Sequence, residues 1–100
     1  MIDRAISRHG VAIRLTYERW SHITEEHTEL AGLRLEVLET VAQPDRIVEG
    51  QHGARLAVRA IAQGSWLVAV YREISDDGFI ITAFLTHRSG FLAKRRQLWP

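Results

Sequence analysis

The 100-residue chain contains no cysteine, which excludes disulfides, thiolate metal sites and cysteine nucleophiles together. It has no apolar run near the roughly 18 residues that a membrane-spanning helix requires, so no membrane association is expected. Its opening residues, MIDRAISRHG, carry charges where a secretion signal needs an apolar stretch. A cytoplasmic protein is therefore expected. The common catalytic fingerprints are missing as well: there is no HExxH pair, phosphate-binding glycine loop, nucleophile elbow or dinucleotide-binding glycine pattern. His22 and His27 stand five residues apart, which on a continuous helix sets them about 140° from each other and denies them a shared metal. His9, His52 and His87 are scattered, and neither a metal nor an organic cofactor is indicated.

What is present is an ordinary globular composition, with 46% hydrophobic and 25% charged residues, enough for the single core of one domain spanning 1–100. The net charge of +1 conceals an asymmetry. Residues 1–50 hold nine acids and six bases, while residues 51–100 hold three acids and seven bases, so the second half is basic. That lean permits a phosphate-bearing partner without requiring one.

Residues 1–9 show no clear pattern and read as loose, whereas Val11, Ile13 and Leu15 alternate like a short edge strand. Thr16 is placed to cap a helix over Tyr17–His27, with Glu18 in its first turn. Leu30, Leu33, Val37, Leu38 and Val41 form a second helical stripe that Pro44 stops. The period then changes to two, predicting strands near Asp45–Glu49, Ala54–Ile61, Ser65–Glu73 and Phe79–Arg88. Their connections are too short for crossover helices. The expected fold is α+β: two N-terminal helices packed on one face of a four- to five-stranded antiparallel sheet. Residues 89–100 form a basic tail, as a last strand, a short helix or a partner-binding arm.

Alternation sorts Ile47, Leu56, Val58, Trp66, Val68, Val70, Ile81, Ala83 and Leu85 onto one face, expected to lie beneath the helices. The other face collects Arg46, Arg55, Arg59, Tyr71, Thr82, Phe84, Thr86 and Arg88, with Arg55 across from Tyr71 and Tyr71 close to Thr82. Cations, a phenol and hydroxyls on an uncovered face suit an anionic, base-bearing ligand such as RNA. RNA cleavage by attack of a 2′-hydroxyl on its own phosphate needs a proton acceptor, a proton donor and cations, and no metal. Histidine suits the proton work and arginine the phosphate.

Four segments, in order, carry a resemblance. Leu15-Thr16-Tyr17-Glu18-Arg19-Trp20-Ser21-His22-Ile23 and His27-Thr28-Glu29-Leu30 resemble a W-x-H-I helix and an H-P-E-L-like turn, with Thr28 in place of proline. Pro44-Asp45-Arg46-Ile47 resembles P-D-x-I, and Ile81-Thr82-Ala83-Phe84-Leu85-Thr86 resembles a T-A-Y strand with Phe84 for tyrosine. Together, over roughly residues 14–88, they are similar to the phage-associated nucleases of the barnase–EndoU–colicin–RelE superfamily. The resemblance implies a metal-independent endoribonuclease, a toxin or phage effector, with His22 or His27 and Thr82 at its catalytic site. His27 is the preferred catalytic histidine, because His22 lies beside the buried Trp20–Ile23 stripe. Arg46, Arg55, Arg59, Tyr71, Thr86 and Arg88 are the expected RNA-binding residues. RNA and a neutralising protein are the expected partners; the oligomeric state is not legible. The alternatives are a non-catalytic RNA- or protein-binding module using the same sheet face, and a regulatory phage-type domain whose tail mediates assembly.

Overall fold

The computed structural model describes residues 2–88 and 90–100. Met1, where the expected domain begins, and Ser89, where the expected tail begins, lie outside the described residues. The chain forms a hairpin of β1 (Ile2–Ile6) and β2 (Ala12–Thr16), then α1 (Tyr17–Glu26), a 3₁₀ turn (Thr28–Leu30) and α2 (Arg34–Ala42). Strands β3 (Arg46–Glu49), β4 (Arg55–Ala62), β5 (Ser65–Ile74) and β6 (Asp77–Thr86) follow, with a 3₁₀ turn (Gln51–Gly53) after β3. The short α3 (Gly90–Ala93) and β7 (Gln97–Trp99) close the described chain.

Local chemistry sets the helix boundaries. The Thr16 hydroxyl accepts the Arg19 backbone N–H at 3.1 Å and starts α1. The helix ends as His27 leaves helical geometry, its N–H still donating to the Ile23 carbonyl. Gly32, at φ +82°, makes the turn that separates the 3₁₀ segment from α2, so the second helical stripe begins later than its apolar spacing implies.

The fold is α+β, but the sheet is larger and more varied than expected. Among the described residues it has seven strands, in the order β1-β2-β6-β5-β4-β3-β7. β3 to β6 form the expected antiparallel meander. β2, however, joins β6 in parallel, pairing Ala12–Arg14 with Asp77–Phe79, and the Arg14 guanidinium clamps this step with two bonds to Asp77. Residues 2–6, expected to be loose, pair with β2 along their whole length. The expected tail is both helix and strand: α3 lies over the sheet and β7 pairs with β3.

In β4 and β5 the two faces are reversed relative to expectation, whereas Ala83 and Leu85 of β6 lie on the helix-bearing side as expected. The helices contribute Ile23, Leu30, Val37, Leu38 and Val41 to a core with Ala57, Leu67, Ala69, Tyr71, Ile80 and Ala83. Thus Tyr71, expected on the open face, lies on the helix-bearing side. The physical reason is a row of small side chains: Ala57 pairs with Ala69 and Ala69 with Ala83, giving the helices a shallow bed to approach. The bulkier Val48, Leu56, Val58 and Val68 form a second core on the opposite face, with Leu92 of α3 and, at its margin, Trp66, Val70 and Phe84. Alternation also fails once within β6. Val70 pairs with Thr82 but Tyr71 pairs with Ile80, so Ile81 is an extra residue. This bulge puts Thr82 and Tyr71 on opposite faces, and Tyr71 is not beside Thr82.

The sheet curls strongly around its helix-bearing face. Six interstrand steps would separate its outer strands by about 29 Å if it were flat. Instead Arg8, in the β1–β2 turn, places its guanidinium 4.6 Å from the ring centroid of Trp99 in β7. Trp99 docks here as a cation–π partner.

Candidate active site at the sheet edge

After Phe79, β2 no longer accompanies β6, and α1 with its following turn packs beside the second half of β6. A cavity of about 290 Å³ opens there, lined by Arg19, His22, Ile23, Glu26, His27, Ile81 and Thr82. The three catalytic candidates read from sequence, His22, His27 and Thr82, therefore face one space. The angular argument against a metal shared by the histidines assumes a continuous helix. His27 is the residue after α1, with φ −127° and ψ 75°, and this break brings both histidines to one cavity.

His27 is the more firmly held of the two. Its Nδ1 lies 3.6 Å from a Glu29 carboxylate oxygen, and its ring centroid is 6.1 Å from that of Phe84. The 3₁₀ turn sets this arrangement, with Leu30 anchored in the core beneath it. His22 is exposed on the helix, not confined by the Trp20–Ile23 stripe as expected. Thr82 reaches the cavity because the Ile81 bulge turns it away from the helix-covered face.

Arg19 and Glu26 were not among the candidates. The signal was available: Arg19, His22, Ile23 and Glu26 follow the i, i+3, i+4, i+7 spacing of one helix face. Reading that stripe only for its apolar members hid a cation beside the histidines.

The expected RNA-binding residues do not form one surface. Arg55 and Tyr71 are paired as expected, but on the helix-covered face. Arg59, on that same face, lies 3.4 Å from Glu39 of α2. Arg46 pairs with Val58 and so belongs to the opposite face, half-buried. Thr86 accepts the Arg88 backbone N–H at 3.0 Å and shapes the end of β6, leaving Arg88 exposed. The Pro44-Asp45 segment has a structural use: the Asp45 carboxylate accepts the Ala60 N–H at 2.7 Å and its own N–H donates to the Val58 carbonyl.

Arg55 and Tyr71 instead belong to a polar cluster under the β1–β2 turn. Arg55 Nε and His9 Nδ1 approach the two Glu73 carboxylate oxygens at 4.0 and 3.5 Å. The Tyr71 hydroxyl is buried with no hydrogen-bond partner among the described residues. Burial first, and then the Glu73 charge, push its pKa up to about 12, with Arg55 opposing. The native state thus keeps this proton after the unfolded chain, with an ordinary tyrosine near 10, has released it. Stability that is present below pH 10 is lost as pH rises toward 12, by about 2–3 kcal/mol. Tyr71→Phe removes both this alkaline loss and an unsatisfied hydroxyl, so it is expected to be neutral or stabilising at pH 8. Urea unfolding of both proteins at pH 8 and 11 checks this; an equal alkaline loss in the variant contradicts it.

No described helix is long and apolar enough to cross a membrane. Among the described residues no group of three or more His, Asp or Glu side chains is placed to hold a metal ion. Compared with known protein families, curated proteins and solved structures, the chain gives no match.

Proposed function

We propose that the protein is a metal-independent endoribonuclease of the phage-associated nuclease type, with its catalytic site in the cavity beside α1. The observation that carries this reading is that His22, His27 and Thr82, drawn from separate segments, line one cavity together with Arg19. One imidazole takes the proton from a ribose 2′-hydroxyl as that oxygen forms a bond to the adjacent phosphorus. The bond from phosphorus to the 5′-oxygen breaks, and that oxygen receives a proton from the second imidazole in its charged form. The products are a 2′,3′-cyclic phosphate and a free 5′-hydroxyl. His27 is assigned as the base, because Glu29 beside its Nδ1 and Phe84 beside its ring fix the orientation of the imidazole. His22, more exposed, is assigned as the acid. Arg19 and the Thr82 hydroxyl offer hydrogen bonds to the non-bridging phosphate oxygens, where charge accumulates in the transition state. In a cell such an enzyme acts on cytoplasmic RNA as a toxin or phage effector and calls for a neutralising protein.

The chemistry is tested with an RNA oligonucleotide cut by the protein in excess EDTA and a copy carrying a single 2′-deoxy residue at the cut position. The RNA is expected to yield a cyclic phosphate end and the deoxy copy to resist at that position. Cleavage of the deoxy copy at an equal rate contradicts the mechanism.

A further inference from the structure

A second groove, of about 430 Å³, lies on the face opposite the helices, where α3 rises over β5 and β6. Ile81 lines both this groove and the histidine cavity, so the two are neighbours across one side chain. Aromatic rings continue the connection. Phe84 stands 6.1 Å from the His27 ring on one side and 6.3 Å from Phe91 on the other, measured between centroids. Phe91 is 37% exposed although it is a large apolar side chain. Gln51, His52, Arg72 and Arg95 supply the polar lining, and the lining residues include no carboxylate. Arg95 is held in place, its guanidinium donating to the Glu49 carbonyl at 3.2 Å.

An apolar, aromatic floor whose rim carries two arginines and no carboxylate fits a flat, electron-rich ring attached to an anion. A protein partner matched to the apolar floor gains nothing from the arginines unless it is acidic. A single-stranded nucleotide uses both at once, its base stacking and its phosphate meeting the guanidinium groups. The groove is also large enough to enclose a small ligand, within the usual range of about 300–1,000 Å³.

We infer that this groove is a nucleobase subsite, holding one unpaired base of RNA against Phe91 and Phe84 while Arg72 and Arg95 take its phosphate, next to the phosphate being cut. The inference rests on the ribonuclease reading, yet the two fail separately. The probe is a fluorescent 2′-O-methyl pentaribonucleotide, which lacks the attacking hydroxyl, so that binding is read without cleavage. An unmodified copy is assayed for cutting in parallel. Phe91→Ala is expected to weaken binding on the order of 5- to 150-fold, the range for loss of one base–aromatic stack. Phe91→Trp is expected to retain binding. Arg72→Ala should lower the slope of log affinity against log salt by about 0.7, the loss of one phosphate contact on a single strand. Thermal unfolding of each variant separates lost binding from lost fold. Cleavage of RNA by a protein whose binding ignores both Phe91→Ala and Arg72→Ala overturns the subsite and leaves the nuclease reading intact. Binding that depends on Phe91 and Arg72 without any cleavage supports the subsite and overturns the nuclease reading. A wild-type protein that does not bind the probe overturns the subsite.

Discussion

Leu92→Ala is expected to lower stability by about 2–5 kcal/mol, the usual cost of a leucine truncated in a packed core. The residue sits in the basic segment that the sequence leaves open between a last strand, a short helix and a partner-binding arm. In the fold its side chain is fully buried against Val48, Leu56, Val58 and Val68. Those four residues form one apolar face of the sheet, which neither α1 nor α2 covers. Without Leu92 this face loses its lid, and the adjoining β7 loses the segment that leads it to β3. In a domain of this size each kcal/mol moves the melting temperature by roughly 4–8 °C, so a drop of at least 8 °C is expected. Lys94→Ala, an exposed change two residues away, should stay within about 0.5 kcal/mol of the wild type. Thermal unfolding of both variants decides the matter. A melting temperature for Leu92→Ala equal to that of Lys94→Ala contradicts the placement of α3.

His27→Ala is expected to slow RNA cleavage by about 10²–10⁴-fold, the typical contribution of a positioned proton-transfer group. The fold should survive it, because the ring is part-exposed at the cavity and its backbone N–H still closes α1 onto the Ile23 carbonyl. His22→Ala is expected to act in the same direction. Its exposure means that it too should leave the melting temperature nearly unchanged, contrary to what the neighbouring apolar stripe implies. A loss of activity without loss of stability in both variants distinguishes two chemical roles from one chemical and one structural role. If His22→Ala lowers the melting temperature while cleavage per folded molecule persists, the acid must be found elsewhere on the cavity wall. Full activity in His27→Ala ends its assignment as the base.

Much of the fold can be read in the residues, and the failures have physical causes. The meander from Arg46 to Thr86 follows from alternating side chains and short turns, since both are local. The start of α1 follows from a single hydroxyl at Thr16. The reversed faces of β4 and β5 do not follow, because the more purely apolar face was taken as the helix-bearing side. Ala57, Ala69 and Ala83 gain their importance only when three strands align them into one row, which no single strand reveals. The parallel step between β2 and β6 is hidden for a similar reason: its partners are 65 positions apart in the chain, and no local pattern announces the pairing.

The candidate site was legible where it depended on motifs and illegible where it depended on register. His22, His27 and Thr82 were named from their segments, and the fold gathers them. Arg55, Arg59 and Tyr71 were named from assumed strict alternation, and the face they share lies under the helices. One extra residue, Ile81, accounts for the separation of Tyr71 from Thr82. The same bulge delivers Thr82 to the histidines, so the irregularity that defeats the pattern also shapes the site.

The central claim is that the cavity beside α1 cleaves RNA by acid–base chemistry supplied by the chain itself. Incubation of the purified protein with total RNA and with tRNA in excess EDTA tests it most directly. The account predicts that both RNAs are cut and that the rate does not change as the chelator is raised. RNA that stays intact at high protein concentration, or cleavage that the chelator abolishes, would contradict it.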